Sequence, residues 1–496
     1  MITLSAQQIA DITGGTLHNI DPGTAVAGPA EFDSRAITPG CIFLALPGAR
    51  VDGHSFAEAA VADGAALVLS SRVVDAPCCV VEPLGPQSSN SDAFAHDPDG
   101  AGAAVLAALG ALSRHTIDVL ADDGLTVIGL TGSAGKTSTK DMVATVLRTT
   151  GPTVAPRGSF NNEIGHPYTA LQATPETKFL VAEMSARGIG HIAHLAQFAP
   201  PRIGAVLNVG SAHVGEFGSR QAIAQAKGEL VEALPDAAHG GVAVLNADDL
   251  LVTPMAARTE AAVVTFSAGS HEADIRATDI ELDDLSRASF TLLTPDGTAG
   301  RVNLQVFGAH QVENALAAAA AARAAGISDG SIVAGLSAHT AASAHRMDVQ
   351  TRADGLTVIN DSYNANPESM RAGIDALSRT ATARGGRAIA VLGEMGELGD
   401  SAEVEHQRLA GVLARRGVHH LVAVGDSPAV RALLATAEDA GITSVSAPDV
   451  DTAVRAVTDL AQPNDVVLVK ASYAGGLWRV AEGVLADERN DEGAQK

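Results

Sequence analysis

Leu125-Thr-Val-Ile-Gly-Leu-Thr131-Gly-Ser-Ala-Gly135-Lys136-Thr137-Ser138 is the stretch that decides the fold. Its first half is a continuous apolar run of strand length, and a helical pattern follows it to about Thr149, ahead of Gly151-Pro152. Strand, glycine turn and helix in that order are the setting of a phosphate cradle in a parallel sheet. The glycines let backbone N–H groups turn inward, and the helix start adds partial positive charge. Lys136 has the reach to contact outer phosphates, and the Thr137 hydroxyl suits magnesium. The usual spacing of such loops asks for glycine at position 130, where this chain has Leu130, so the loop is a shorter G-x-x-G-K-T form. Thr131, Gly132, Ser133, Ala134, Gly135, Lys136, Thr137 and Ser138 are therefore read as binding ATP.

Outward from the loop, buried-strand runs alternate with helical patterns nearly end to end, which implies parallel sheets faced by helices. Before it lie Cys41–Leu46, a helical Ser55–Asp63 and Ala65–Leu69. A segment rich in Pro, Ser, Asp and Gly at 83–102 reads as a loop or insertion, followed by a helix at 103–114. Beyond the loop come Phe179–Ala182, Ile203–Leu207 and Gly241–Leu245, a hairpin at Asp296-Gly297 and a helix from Gln311. Further strands are read at Leu356–Ile359, Arg387–Leu392, Leu421–Val424 and Asp465–Lys470, none followed by a dinucleotide glycine fingerprint. The expectation is an α/β protein of three domains, at residues 1–102, 103–340 and 341–496.

Composition narrows the function classes. With 46% hydrophobic and 18% charged residues over 496 positions, the chain is globular and too long for one core. A net charge of −24 disfavours nucleic-acid and anionic-membrane partners, whose phosphates need clustered Lys and Arg. Cys41, Cys78 and Cys79 provide neither a disulfide framework nor metal spacing. No export signal is visible and the apolar segments read as too short or too interrupted to span a bilayer, so a cytoplasmic monomer is expected.

Open parallel sheets bind ligands at the carboxyl ends of their strands. That places Glu183, after Phe179–Ala182, and His213, after Ile203–Leu207, toward the nucleotide, with Glu183 a hard oxygen donor for Mg2+. Taken alone, each is more often a solvated loop residue, and Lys227 on the helical stretch 219–233 is more often a solvated helix face.

The surrounding motifs resemble those of the Mur ligase family. Thr131–Ser138 is similar to its short phosphate loop, and Asn161-Asn-Glu-Ile-Gly-His-Pro167 to a following substrate-side motif. Asn208–His213, Phe217–Ser219 and Ala226–Glu229 resemble the stretch carrying the family's histidine and carbamylated lysine. Leu245–Asp249 and Gly308–Asn314 resemble nucleotide-side elements. His345-Arg346, Asn360–Pro367, Gly393–Gly399 and Lys470–Ser472 resemble segments of a closing C-terminal domain. At the N-terminus, Asp33-Ser34-Arg35, Gly40–Phe43 and Asp52-Gly-His54 resemble a uridine-binding domain.

The resemblance implies a small N-terminal α/β uridine-binding domain, a central ATP-binding domain and a C-terminal Rossmann-like domain. Within the family it points to the branch joining D-alanyl-D-alanine to UDP-MurNAc-tripeptide through an acyl phosphate. It implies Lys136, Lys227 and His213 as catalytic, and Asn314, Arg346 and Asp361 as nucleotide contacts. It implies Ser34, Arg35, Asp52, His54, Asn161, Asn162, Asn364 and Asn366 as substrate contacts. Mg2+ would be held by Thr137 and Glu183, and a second ion by His213 and a carbamylated Lys227. Two departures stand out: Ser185 follows Met184 where the family often has glycine, and Tyr473 follows Ser472 where it often has arginine. The alternatives are an amide ligase adding one amino acid, a folylpolyglutamate-type synthetase, or a nucleotide-binding regulator.

Overall fold

A computed structural model describes residues 1–48, 51–86, 97–211, 214–269 and 272–486. His213 and positions 87–96 of the insertion lie outside them. The described residues form three large sheets and one short ribbon. The N-terminal sheet has five strands in the order Thr16–His18, Cys78–Val80, Leu67–Ser70, Ile42–Leu44, Ala30–Glu31, parallel except at its first pair.

The central sheet has nine strands. From one edge they run Thr153–Val154, Phe179–Glu183, Thr126–Thr131, Ile203–Val206, Val242–Asn246, Ala262–Ser267 and Ile275–Leu282, all parallel. Arg287–Thr294 and Gly297–Phe307 then extend it antiparallel as the hairpin expected at Asp296-Gly297, so the sheet is mostly parallel. Arg287–Thr294 alternates buried and half-buried residues, the period-2 pattern of a sheet with one covered face. The strand before the phosphate loop lies centrally, between two strands that follow it in sequence, which is where an open sheet leaves a crevice.

Both faces of that strand are packed. Ile128 and Leu130 share a buried cluster with Met142, Val146 and the fully buried run Ala315–Ala322 of helix Gln311–Ala324. On the other face lies helix Arg220–Glu232, which carries Lys227. Gly129 and Gly204 are paired across adjacent strands, and a Cβ on either would meet Leu230 of that helix at 2.9 or 3.1 Å. The glycines thus let the helix sit close against the sheet.

The third sheet has six strands in the order Asp348–Thr351, Thr357–Asn360, Val466–Lys470, Ala388–Leu392, His420–Val424, Thr443–Ala447, parallel beyond the first pair.

Two corrections concern the segment after the N-terminal sheet. The helix expected at 103–114 is Ala101–Asp122, because Arg114 and Asp118 pair along one exposed face at 2.7 Å instead of ending it. It is long and apolar enough to cross a membrane by length and composition, contrary to the sequence expectation, but 67% of its apolar window is buried in the protein. Asp97, inside the expected insertion, is buried and accepts from Gly102 N and Ala103 N at 2.8 and 2.7 Å, fixing the helix start.

Candidate active site

The phosphate loop opens onto a cleft of about 1250 Å³ lined from the central and third sheets. Strand Thr126–Thr131 delivers the loop and helix Lys136–Arg148 leaves it. Gly135 takes the left-handed conformation, φ +81°, and a Cβ there would meet Asn314 Oδ1 at 2.3 Å. Asn314 is held in turn by Thr139 Oγ1 (3.3 Å) and by its own donation to Gln311 (2.8 Å).

Asn208, just past strand Ile203–Val206, governs the loop. Its Oδ1 accepts from Ser133 N and Ala134 N at 3.0 and 2.9 Å. Two loop amides are thereby occupied, whereas those of Lys136, Thr137 and Ser138, in the helix's first turn, have no acceptor among the described residues. Orphan donors at a helix start are an anion site. Lys136 Nζ rests on Gly132 O at 2.7 Å. Burial holds its ammonium below the ordinary lysine value, with Glu183 acting in the opposite sense.

Glu183, 1% exposed, ends strand Phe179–Glu183 and accepts from Thr137 Oγ1 at 3.0 Å and Asn161 Nδ2 at 2.7 Å. A hydroxyl and a buried carboxylate this close to one another at the mouth of an anion site form a hard-oxygen pair that fits a divalent ion such as Mg2+. Lys227 is buried on its helix, and its ammonium makes no hydrogen bond or ion pair among the described residues. Burial, reinforced by Lys136, pushes its pKa well below the ordinary value. A free amine of that kind does not fit a cation; a carbamate formed on it would.

Arg346 reaches in from the third section, donating to Ser159 Oγ at 2.8 Å, and its guanidinium lies 4.1 Å from the Tyr363 ring centroid. Asp361 binds Met347 N at 3.1 Å and Lys470 Nζ at 2.6 Å. Asn364 lines the cleft and gives its carbonyl to Lys470 at 2.8 Å. Asn366 caps helix Pro367–Arg384 and donates to Ser133 O at 3.4 Å. Glu368 accepts from both the backbone and the hydroxyl of Ser211, so the third section closes directly over the loop after Ile203–Val206.

Other expected site residues stand apart from this cleft. Asn162 receives Gly165 N at 2.9 Å, stabilising the start of helix Gly165–Ala170. Ser34 begins a short helical turn capped by Asp33, and Arg35 is exposed and bound to the same aspartate at 2.7 Å. His54 is buried, with Asp52 at 2.6 Å on Nδ1 and Ser71 at 3.0 Å on Nε2. Asp52 also pairs with Arg72 at 2.8 Å. The N-terminal section meets the Asn161 segment through Phe32, Phe160 and Tyr168, whose ring centroids lie 5.3–6.2 Å apart, and through Tyr168 Oη donating to Glu31 at 3.1 Å.

Sequence reasoning assigned no role to Asn208, Glu368, Lys470 or Lys140. Lys140 is 1% exposed and donates to Pro156 O and Gly158 O, fixing the approach to Ser159. Its position one helical turn after Lys136 was the available signal.

Comparison with known proteins agrees with this architecture. Residues 130–322 match the Mur ligase middle domain, 345–473 the Mur ligase glutamate ligase domain and 31–93 the Mur ligase family catalytic domain. UDP-N-acetylmuramoyl-tripeptide–D-alanyl-D-alanine ligase of Mycobacterium tuberculosis is 50% identical over 508 aligned residues, covering 98% of this chain and 99% of that protein. A crystal structure of MurF from Acinetobacter baumannii superposes with TM-score 0.82 at 31% identity, covering 98% and 99% of the two chains. MurF from Thermotoga maritima in complex with ADP gives 0.73 at 25% identity, covering 92% and 97%. With all three sheets spanned by matches of this length and identity, the chain belongs to the Mur ligase family.

Proposed function

We propose that this protein joins D-alanyl-D-alanine to UDP-MurNAc-tripeptide, consuming ATP and giving UDP-MurNAc-pentapeptide, ADP and phosphate. The observation that carries the reading is the single cleft in which the phosphate loop and Glu183 face Arg346, Asp361 and Asn364 of the third section, in a chain matched end to end by ligases of that name.

A carboxylate does not react usefully with an amine, because its leaving group is poor. Transfer of the γ-phosphoryl group from ATP to the tripeptide carboxylate makes an acyl phosphate; the dipeptide amine, having lost a proton, attacks its carbonyl carbon and phosphate leaves. Lys136 and the orphan amides of Lys136–Ser138 stabilise charge on the transferring group without reorganising. Gly135 keeps the loop backbone within reach, and Asn314 supports it from behind. Arg346 and Asp361 anchor ATP from the third section. Closure of that section on the loop, through Glu368 and Asn366, excludes water that would hydrolyse the acyl phosphate.

Magnesium, when bound, neutralises the phosphate oxygens so that two anions can approach each other. Thr137 and Glu183 are the residues that would hold one ion, and His213 with a carbamylated Lys227 a second. Lys227 is suited to carbamylation because burial pushes its pKa down and favours the free amine: the amine attacks CO2, a C–N bond forms and one proton is released. Substrate contacts are assigned to Ser34, Arg35, Asp52, His54, Asn161, Asn162, Asn364 and Asn366. Residues 1–102, 103–340 and 341–496 are assigned as the uridine-binding, ATP-binding and C-terminal domains. ATP and a UDP-linked substrate are cytoplasmic metabolites, which assigns the protein to the cytoplasm.

Tripeptide substrate carrying 18O in its terminal carboxylate tests the acyl phosphate. One labelled oxygen per turnover passes into phosphate if the reading holds; unlabelled phosphate would exclude it.

A further inference from the structure

The acceptor dipeptide presents an amine at one end and a carboxylate at the other. Two extended residues span at most about 7 Å, so the carboxylate must be held away from the reacting phosphoryl group, outside the phosphate loop itself. A protein of net charge −24 needs a local cation to hold it.

Helices Pro367–Arg384 and Ala402–Arg415 bring Arg371 and Arg408 to the same cleft as Lys136. They flank the carboxyl ends of strands Ala388–Leu392 and Val466–Lys470, where Gly396 and Ser472 also line the cleft. Glu405, 8% exposed, lies between the two arginines: Arg408 donates to its Oε1, and Arg371 approaches its Oε2 at 3.5 Å. Two guanidiniums with five N–H donors each thus share one carboxylate, while their side chains stay 44% and 63% exposed. The neighbouring Lys470 is different: it is 1% exposed and fully engaged by Asp361 and two carbonyls. Tyr473, 57% exposed on the same rim, contributes surface but no charge.

We propose that Arg371 and Arg408, oriented by Glu405, form the subsite that takes the carboxylate of the incoming dipeptide. This inference rests on the ligase reading above and deepens it. Planar guanidinium forks suit bidentate recognition of a carboxylate. Glu405 sets their angle but neutralises only one of the two charges, leaving an anion-sized deficit facing the cleft.

The test compares D-alanyl-D-alanine with its C-terminal amide, which keeps the amine and both methyl groups but lacks the charge. Wild-type protein should use the amide about 30-fold less efficiently or worse, the range of a lost charge-assisted hydrogen bond. Arg371→Gln/Arg408→Gln should raise KM for the dipeptide by a similar factor and use both acceptors about equally, with KM for ATP and the UDP-linked substrate nearly unchanged. A double variant that keeps the wild-type preference for the carboxylate overturns the proposal. So does a rise in KM for ATP matching that for the dipeptide, since the pair would then serve phosphate. Thermal melting of Glu405→Gln beside the double variant shows whether loss of fold, rather than of recognition, causes any deficit; equal deficits with both acceptors in a protein melting well below wild type would also count against it. Wild-type protein that ligates neither acceptor would refute the ligase reading itself, and this inference with it.

Discussion

Replacing Gly135 by alanine perturbs the phosphate loop at its tightest point. Its backbone φ of +81° costs an alanine about 1–2 kcal/mol. The added methyl would stand 2.3 Å from Asn314 Oδ1, so Asn314 must leave its bonds with Thr139 and Gln311. Those are each worth about 1 kcal/mol, giving about 3–4 kcal/mol in all. Every 1.4 kcal/mol or so that falls on the bound state is tenfold in affinity. Calorimetric titration with a non-hydrolysable ATP analogue should therefore show binding weakened by about tenfold or more. Gly326→Ala is the control, because Gly326 has φ +84° with nothing within 4 Å of its built Cβ, so it carries the strain without the collision. Affinity within twofold of wild type in Gly135→Ala, or equal weakening in Gly326→Ala, would refute the reasoning.

Asn208→Ala leaves the Ala134 amide without its acceptor, whereas Ser133 N keeps the Asn208 backbone carbonyl at 3.1 Å. The cost of about 1–3 kcal/mol should appear as weaker nucleotide binding and faster amide exchange at Ala134; unchanged exchange there would count against Asn208 as the loop's clamp. Burial pushes the Lys227 pKa well below the ordinary value of 10.5, so unfolding takes up protons at pH values below that. Lys227→Met should accordingly melt above wild type at neutral pH in CO2-free buffer, lose that advantage as pH rises toward 10.5, and have no ligase activity; Lys227→Ala should regain some with short carboxylates, and full activity in either variant would exclude the carbamate. Burial lowers His166 from 6.5 to about 4, leaving it neutral in the fold but charged when unfolded between those values. Stability should be complete above pH 6.5 and fall by about 3 kcal/mol toward pH 4, and His166→Leu should flatten that slope in urea titrations; an identical slope in the variant would contradict it.

The strand–loop–helix unit was legible because three independent signals coincide in it: an apolar run, glycines and a following 3.6-residue pattern. The hairpin at Asp296-Gly297 was legible from turn chemistry, and the strands flank it at Arg287–Thr294 and Gly297–Phe307. Edge elements were not. Thr443–Ala447 is mostly exposed and polar, so nothing in its composition separates it from a loop. Helix Ala101–Asp122 seemed to end at Arg114 because a charge interrupts the apolar run, although that charge sits on the outer face with its Asp118 partner. In the site, residue chemistry was readable and pairing was not. Lys136 and Thr137 announce themselves by type and place in the loop, whereas Glu183 gains its weight only from the motifs around it. That Asn208 satisfies two loop amides, or that Lys470 holds Asp361, depends on contacts 75 and 109 residues apart in sequence.

Phosphate release from ATP, measured with UDP-MurNAc-tripeptide and a panel of acceptors, tests the central claim most directly. Release should be negligible with the nucleotide substrate alone, rapid with D-alanyl-D-alanine, and at background with single amino acids. Release stimulated equally by single amino acids, or slow hydrolysis indifferent to the UDP-linked substrate, would contradict the account.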